Sequence, residues 1–269
     1  MKLAVIGHPI NHSKSPIIHN DWIEKSRLEG EYIAIDIAPN ELEQEIRKLI
    51  EQGYDGFNIT IPHKQNIMTL CSAIDESAKK IGAVNTVVIN NGKLSGYNTD
   101  AFGFIQNIKE NSQFCFDDKT AFVLGAGGAA RAVIQGLIDE NVCKIYLSNR
   151  TLSKAQELKS MAQDIIEVIE WDGRESMLVE TDLLVNTTSL GMSDKNSLEL
   201  NLTALKKSAL VTDIVYAPLM TDLLKQAEKN GHKIVTGIGM LLYQAQKSFE
   251  IWTGSFPDVD EDLVKKVLA

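Results

Sequence analysis

The stretch with the most chemistry in it is Val123-Leu124-Gly125-Ala126-Gly127-Gly128-Ala129-Ala130-Arg131. An apolar run of buried-strand type, Lys119 to Leu124, leads into it. Behind it Ala129, Ala130, Val133, Ile134, Leu137 and Ile138 recur at helical spacing. Strand, glycine turn and helix in that order make a dinucleotide fingerprint, where a bare glycine string would mean little. Gly125 permits the tight turn, Gly127 lets a pyrophosphate approach the backbone, and the small Ala130 lets helix and strand pack closely. The helix start then offers N–H groups and positive dipole charge to phosphate.

The next strand, Lys144 to Leu147, runs into Ser148-Asn149-Arg150-Thr151. An NAD site normally has a carboxylate near this point to accept from the ribose hydroxyls. Here Asn149 and Arg150 stand there, with Lys154 one turn later. A carboxylate would repel a 2′-phosphate, whereas a guanidinium bonds one through two charge-assisted contacts. Cations at a helix start also oppose its dipole, and a bound anion would account for them. The expected cofactor is therefore NADP.

Five further polar clusters sit at the ends of expected elements, where α/β proteins keep their sites. Ser13 and Ser15, beside a helix start, suit a carboxylate, although either could be an ordinary cap. Asn58 and Thr60 alternate onto one face of a strand and could bond substrate hydroxyls, with Lys64 just beyond. Gly82 to Thr86 and Gly96 to Asp100 place Asn85, Asn98 and Asp100 at turns, where capping chemistry is the plain alternative. The fifth cluster is split between Asp213 to Pro218 and Gly237 to Gln244, and Gln244 needs a polar partner if its helix is buried.

The elements that must hold these residues read as an α/β chain. Lys2 to Ile6, Tyr32 to Ile37 and Gly56 to Ile61 are expected strands. Val84 to Ile89 and Lys93 to Tyr97 form a hairpin around Asn90-Asn91-Gly92. Ser15-Pro16 opens a helix. Asn40 with Glu43 predicts a capping box before a helix whose stripe is Leu42, Ile46, Leu49 and Ile50. From about Ala101 to Gly237, strands near 144–147, 165–169, 183–185, 209–214 and 233–235 alternate with helices, implying a parallel doubly wound sheet. Met240 to Ala269 reads as helical and broken at Pro257. The expected division is 1–100 plus 238–269 against 101–237.

With 269 residues, 44% hydrophobic and 23% charged, the chain can bury a real core. Its net charge of −9 argues against general nucleic-acid affinity, and an anionic substrate must be drawn by local cations. No segment approaches the ~20 apolar residues of a membrane span, and Leu3 to Ile6 is too short for a signal sequence. Cys71, Cys115 and Cys143, scattered and odd in number, read as reduced thiols of a cytoplasmic protein, with Cys143 expected in packing. His8 and His12 share a four-residue spacing, but Pro9 and the lack of a ligand pattern imply no metal. Monomer and homodimer both stay open.

Taken together, GHPINHSKSPIIHN (7–20), NITIPHK (58–64), GAVNT (82–86), GYNTD (96–100), GAGGAAR (125–131), NRT (149–151), NTTSLGM (186–192), DIVYAPLMTDLL (213–224) and GIGMLLYQAQ (237–246) resemble the shikimate dehydrogenase family. They run in family order over nearly the whole chain. The resemblance implies reversible NADP-linked reduction of 3-dehydroshikimate to shikimate, a step of aromatic amino-acid biosynthesis. It implies an N-terminal α/β substrate domain, completed by the C-terminal helices, facing a Rossmann domain across a cleft. Carried over, Ser13, Ser15 and Tyr216 would hold the substrate carboxylate, and Thr60, Asn85 and Gln244 the ring hydroxyls. Lys64 and Asp100 would be the catalytic pair. Gly125, Ala126, Gly127, Gly128 and Ala129 would cradle the pyrophosphate, and Asn149, Arg150, Thr151 and Lys154 the adenosine phosphate. Glu76, Thr188, Ile214, Gly237 and Met240 would lie along the cofactor. Two other readings stay open. One is a quinate/shikimate dehydrogenase with relaxed substrate or cofactor use. The other is a non-catalytic NADP-sensing module, which would need no proton donor.

Overall fold

The computed structural model describes residues Met1–Ala269 and divides into two compact units, Met1–Asp100 with Leu242–Ala269, and Ala101–Leu241. The second boundary falls four residues later than the sequence suggests. The reason is local: one continuous helix runs from Ile238 to Thr253, and its first turn packs into the second unit. Met240 lies in that unit's core, and a side chain at Gly239 would collide with Asn107.

In the first unit the strands are β1 (Lys2–Gly7), β2 (Glu31–Asp36), β3 (Gly56–Ile59), β4 (Ala73–Ile74), β5 (Thr86–Asn90) and β6 (Lys93–Tyr97). They form one sheet in the order β2-β1-β3-β5-β6-β4. β1 pairs in parallel with β2 and β3, whereas β5 is antiparallel to both β3 and β6. The β5–β6 turn places Asn91 and Gly92 at positive φ, as a two-residue hairpin requires. β3 ends at Ile59, two residues before its expected end, so Thr60 already lies beyond the strand.

The helices of this unit are α1 (Ser15–Lys25), α2 (Leu42–Glu51) and α3 (Glu76–Ile81). The expected capping box of α2 does not form. Pro39–Glu41 makes a 3-10 turn instead, so Asn40 lies one residue too early to cap, and Glu41 takes the cap position without a side-chain bond. The stripe itself is as expected: Leu42, Ile46 and Leu49 are buried against Ile6, Phe57 and Ile59. α3 is short but capped, Asp75 accepting from the Ser77 N–H.

The C-terminal segment supplies most of α8 (Ile238–Thr253) and all of α9 (Glu261–Leu268), separated by a break that includes Gly254 at positive φ. Trp252 Nε1 donates to the Val87 carbonyl at 2.9 Å, and a Cβ at Gly56 would strike that indole. Lys266 reaches Asp21 at 2.6 Å and Lys25 reaches it at 2.8 Å. Burial works against the Asp21 carboxylate, but the two ammonium groups win and hold it below the usual range.

His19 lies at the centre of this packing, fully buried and stacked on Tyr32 with ring centroids 4.3 Å apart, Trp22 meeting it edge-on. Neither ring nitrogen has a hydrogen-bond partner. Desolvation lowers its pKa to about 3; the nearby Asn58 side chain acts the other way without prevailing. The folded chain therefore refuses a proton that the unfolded chain accepts below its ordinary value near 6.5. Stability contributed by the neutral ring is complete above that value. It declines as pH falls towards 3, by about 1.4 kcal/mol per unit. Urea unfolding at pH 7.5 and 5.0 should show this loss in the parent protein. His19→Phe, which keeps a ring in the stack, should lose roughly 2 kcal/mol less over that interval. Equal losses in the two proteins would refute the assignment.

The second unit holds α4 (Asp100–Asn111, its first residue in the first unit), β7 (Thr120–Leu124), α5 (Gly128–Asp139), β8 (Lys144–Ser148), α6 (Leu152–Lys159) and β9 (Ile166–Ile169). Then come β10 (Leu183–Asn186), β11 (Leu210–Asp213), α7 (Asp222–Lys229) and β12 (Lys233–Val235). Every pairing is parallel, in the order β12-β11-β10-β7-β8-β9. This is the doubly wound order of dinucleotide-binding folds, with its switch point between β7 and β10.

β7 is buried on both faces: Ala121 and Val123 enter one core with Val133, Ile134 and Leu137, while Phe122 and Leu124 enter another with Leu184, Val211 and Leu224. That is why these strands read as continuous apolar runs. Between β9 and β10, residues Trp171–Glu180 form consecutive 3-10 turns where an α-helical crossover would be usual. Arg174 anchors them, stacking on Trp171 and donating to the carbonyls of Trp171 and Glu199. Cys143 is exposed rather than packed, its thiol against the Lys119 carbonyl at 3.3 Å; it precedes β8 instead of entering it.

Candidate functional site

In the first unit, polar groups gather where β1, β3 and β6 end and β5 begins. The turns after β1 and β3 are stitched together: Thr60 N–H donates to Ile6 O at 2.9 Å, and His8 N–H to Ile61 O at 3.0 Å. Gly7 is needed for this approach, since a Cβ there would lie 2.4 Å from Thr60 Cγ2. A few residues on, Ser13 Oγ accepts from the Ser15 N–H at 3.3 Å, and Lys14 rather than either serine takes the α1 cap position. Ser15 is buried and Ser13 half-buried.

Lys64 is clamped through its backbone. Its carbonyl accepts from Val84 N–H at 2.8 Å, and the preceding His63, fully buried, contacts the Ile37 carbonyl through Nε2 at 2.7 Å. The Lys64 ammonium then meets Asp100 Oδ2 at 2.5 Å. The other oxygen of Asp100 accepts from Asn85 Nδ2 at 2.8 Å, and its N–H donates to Asn98 Oδ1 at 2.9 Å. Gln244 Oε1 lies 3.4 Å from Asn85 Nδ2. Lys64, Asn85, Asp100 and Gln244, separate in sequence, thus form one group.

Asn58 behaves differently from its sequence expectation. It is buried, and its amide is engaged by protein: Oδ1 accepts from the Tyr32 hydroxyl at 2.6 Å, while Nδ2 lies 3.0 to 3.1 Å from Thr86 Oγ1, Asn85 O and Ser248 Oγ. It supports the group from behind. Thr86, Thr99 and Ser248 belong to the same buried network and were not anticipated. Ser248 left a signal: it stands four residues after Gln244, a second polar residue on the same helix face.

In the second unit the glycine turn has the shape a phosphate needs. Gly125 has φ of +108°, and a Cβ there would lie 2.6 Å from Thr187 Oγ1. Gly127 and Gly128 are exposed, and a Cβ at either would project into open space. α7 and α9 are capped by Thr221 and Asp260, yet no side chain caps α5 or α6. Asn149 Oδ1 accepts from the Ala126 N–H at 3.2 Å, and its Nδ2 donates to Thr151 O. Arg150, Thr151 and Lys154 are exposed beside that turn.

Across the switch point Asn186 organises the loop after β10. Its Oδ1 accepts from the Thr188 N–H and hydroxyl, and its Nδ2 donates to Asp213 Oδ1 at 3.0 Å. Burial pushes the Asp213 carboxyl up, opposed by the bonds it accepts from Asn186, the Val215 N–H and Thr221. Those bonds fix the segment carrying Ile214 and Tyr216. Tyr216 is half-buried, and burial raises its phenol pKa. Gly237 packs so closely that a Cβ would lie 2.5 Å from Ile214 O. Met240 is mostly core. Glu76 belongs to the first unit, exposed on α3 and held by Lys79 at 2.5 Å.

Family models match most of the chain: a shikimate dehydrogenase substrate binding domain at residues 5–87, a shikimate/quinate 5-dehydrogenase domain at 107–218, and a shikimate 5′-dehydrogenase C-terminal domain at 237–268. The chain is 44% identical to a shikimate dehydrogenase (NADP(+)) of Paramagnetospirillum magneticum, over 99% of this chain and 97% of that one. It resembles a crystal structure of shikimate 5-dehydrogenase from Thermus thermophilus in complex with NADP(H) and shikimate, with TM-score 0.90 and 33% identity over 99% and 98% of the two chains. It also resembles quinate dehydrogenase from Corynebacterium glutamicum in complex with NAD, with TM-score 0.92 and 29% identity over 100% and 98%.

Proposed function

This chain belongs to the shikimate dehydrogenase family, and from that premise we propose how its residues carry the reaction. It is an NADP-dependent oxidoreductase that interconverts 3-dehydroshikimate and shikimate. The observation that carries the residue assignment is the Lys64–Asp100 contact at 2.5 Å, backed by Asn85 on the second carboxylate oxygen. The first unit takes the substrate and the second takes NADP.

The residues of the second unit fit that cofactor. The open space above Gly127 and Gly128, with the uncapped start of α5, suits a pyrophosphate. Arg150 and Lys154 suit a 2′-phosphate, and Asn149 spends its amide on holding the turn. Thr188, Ile214, Gly237 and Met240 stand at the carboxyl ends of β10, β11 and β12, where this sheet order places its ligands. Glu76 is the least supported of the cofactor contacts, since its carboxylate already pairs with Lys79.

When bound, NADPH supplies the hydride. Lys64 Nζ holds the proton that the ketone oxygen needs as charge develops on it, and stabilises that charge before transfer. Asp100 keeps the ammonium aimed, and Asn85 keeps Asp100 aimed. In the oxidation direction the neutral amine of Lys64 accepts the hydroxyl proton. Thr60, Asn85 and Gln244 bond ring hydroxyls, while Ser13 and Ser15 hold the carboxylate. Asn58 acts through Asn85 rather than on substrate. The three free thiols suit a reducing, cytoplasmic compartment.

Absorbance of reduced nicotinamide tests this directly, with shikimate or quinate and NADP or NAD in the four combinations. Fast reduction with shikimate and NADP, and slow reduction with NAD, is the expected pattern. NADP binding without reduction in any combination would favour a sensor; a preference for quinate with NAD would favour the relaxed enzyme.

A further inference from the structure

Asn85 has an amide whose two ends look alike in shape but act oppositely on Asp100. The Thr99 N–H, which can only donate, lies 2.9 Å from one end, so that end is the oxygen. The two Nδ2 protons then face Thr99 Oγ1 at 2.9 Å and Asp100 Oδ1 at 2.8 Å. The hydroxyls complete a circuit. Thr99 Oγ1 lies 3.1 Å from Ser248 Oγ, Ser248 Oγ lies 2.7 Å from Thr86 Oγ1, and Thr86 Oγ1 donates to Asn85 Oδ1 at 2.9 Å.

Counting protons closes this circuit in one direction. Thr99 accepts from Asn85 and donates to Ser248, Ser248 donates to Thr86, and Thr86 donates to Asn85. Asn58 Nδ2 supplies further protons to Thr86 and Ser248 from outside, which fills both oxygens. Two acceptors compete, the Gln244 backbone carbonyl 3.0 Å from Ser248 Oγ and Asn85 Oδ1 3.2 Å from Thr99 Oγ1, and in each case the shorter contact, 2.7 Å to Thr86 and 3.1 Å to Ser248, takes the proton. All four residues of the ring are essentially excluded from solvent. Water cannot substitute for a missing member without rearrangement, and the bonds polarise one another in sequence.

We propose that Thr86, Thr99 and Ser248 are positioning residues that close a buried hydrogen-bonded ring through Asn85, fixing the end of its amide that faces Asp100 and so the aim of Lys64. The role in turnover rests on the functional reading above; the ring itself does not. Ser248 brings α8 into the device, so the C-terminal segment sets the geometry of a pair that lies wholly within the first hundred residues. With the ring opened, only the Thr99 N–H still holds the carbonyl end of Asn85, and the amide turns that end towards the Asp100 carboxylate in part of the population. Repulsion then moves Asp100, and the ammonium follows it.

Thr99→Val keeps shape and removes the hydroxyl; Ser248→Ala opens the ring on another element; Thr99→Ser restores the hydroxyl. Each is compared with the parent at a temperature well below its Tm. Thr99→Val and Ser248→Ala are expected to lower kcat at least tenfold, with KM for NADP unchanged within twofold, and Thr99→Ser to return kcat to within threefold of the parent. A purely structural role predicts lower Tm with parental kcat, and that result would overturn the proposal. A second readout needs no turnover. The Asn85 side-chain 15N–H resonances, identified by their loss in Asn85→Ser, should exchange slowly in the parent and shift and exchange faster in Thr99→Val and Ser248→Ala. Unmoved resonances would overturn the ring even in a protein inactive on shikimate, whereas moved resonances in such a protein would leave the ring standing and remove only the assigned reaction.

Discussion

Lys64→Ala is expected to lower kcat for shikimate oxidation by about 10³-fold while leaving NADP affinity within twofold of the parent. The size follows from what a positioned proton donor and acceptor contributes, typically 10²- to 10⁴-fold. The value is set above the bottom of that range because, in the proposed reading, the ammonium also faces the oxygen on which charge develops. NADP binding should be untouched because Lys64 lies in the first unit and the glycine turn in the second. The fold should survive, because the 62–65 turn is held by backbone and by His63 rather than by the ammonium. Asp100 would remain bonded to Asn85, so the variant removes the proton carrier without scattering its neighbours. Steady-state kinetics with nucleotide titration check this. Parental kcat in Lys64→Ala would remove Lys64 from the mechanism. Lost NADP affinity would instead mean that the substitution acted through the fold.

The glycine turn, the parallel strands around it and the basic residues after β8 were legible in the sequence because each rests on local rules. A buried strand is apolar throughout, and a tight turn needs glycine. That Lys64, Asn85, Asp100 and Gln244 would gather into one group was suggested only by the family resemblance, since a lone lysine at a strand end is ordinarily a surface charge. Its supports were harder still. Asn58 showed its face by alternation, but not that Tyr32, Thr86 and Ser248 would occupy its amide. Ser248 lies 149 to 190 residues from its partners Asn58, Thr86 and Thr99 in the chain, and no local rule joins them. Asn40 failed as a cap because a 3-10 turn displaced the helix start, and propensity does not fix boundaries to a residue. The 3-10 run at 171–180 depends on Arg174 reaching a loop some 25 residues away. What escaped the sequence is consistently tertiary polar chemistry, where one donor selects among acceptors that folding alone brings together.

Arg150→Ala should raise KM for NADP about 10- to 100-fold and change kcat/KM with NAD less than threefold. The magnitude is that of a charge-assisted hydrogen bond to phosphate, about 1.5–3 kcal/mol. Arg150 is exposed next to an Asn149 whose amide already serves the glycine turn, so the guanidinium is not a structural member of the turn. Its loss should fall on the 2′-phosphate alone, which NAD lacks. Lys154→Ala should do the same to a smaller degree, because an ammonium lacks the bidentate fork. The double variant should approach equal use of the two nucleotides. Salt provides an independent check: added chloride should weaken NADP more than NAD in the parent, and the difference should shrink in the double variant. Equal losses with both nucleotides would place Arg150 in the fold of the loop instead. Unchanged NADP kinetics would mean that another cation reads the phosphate.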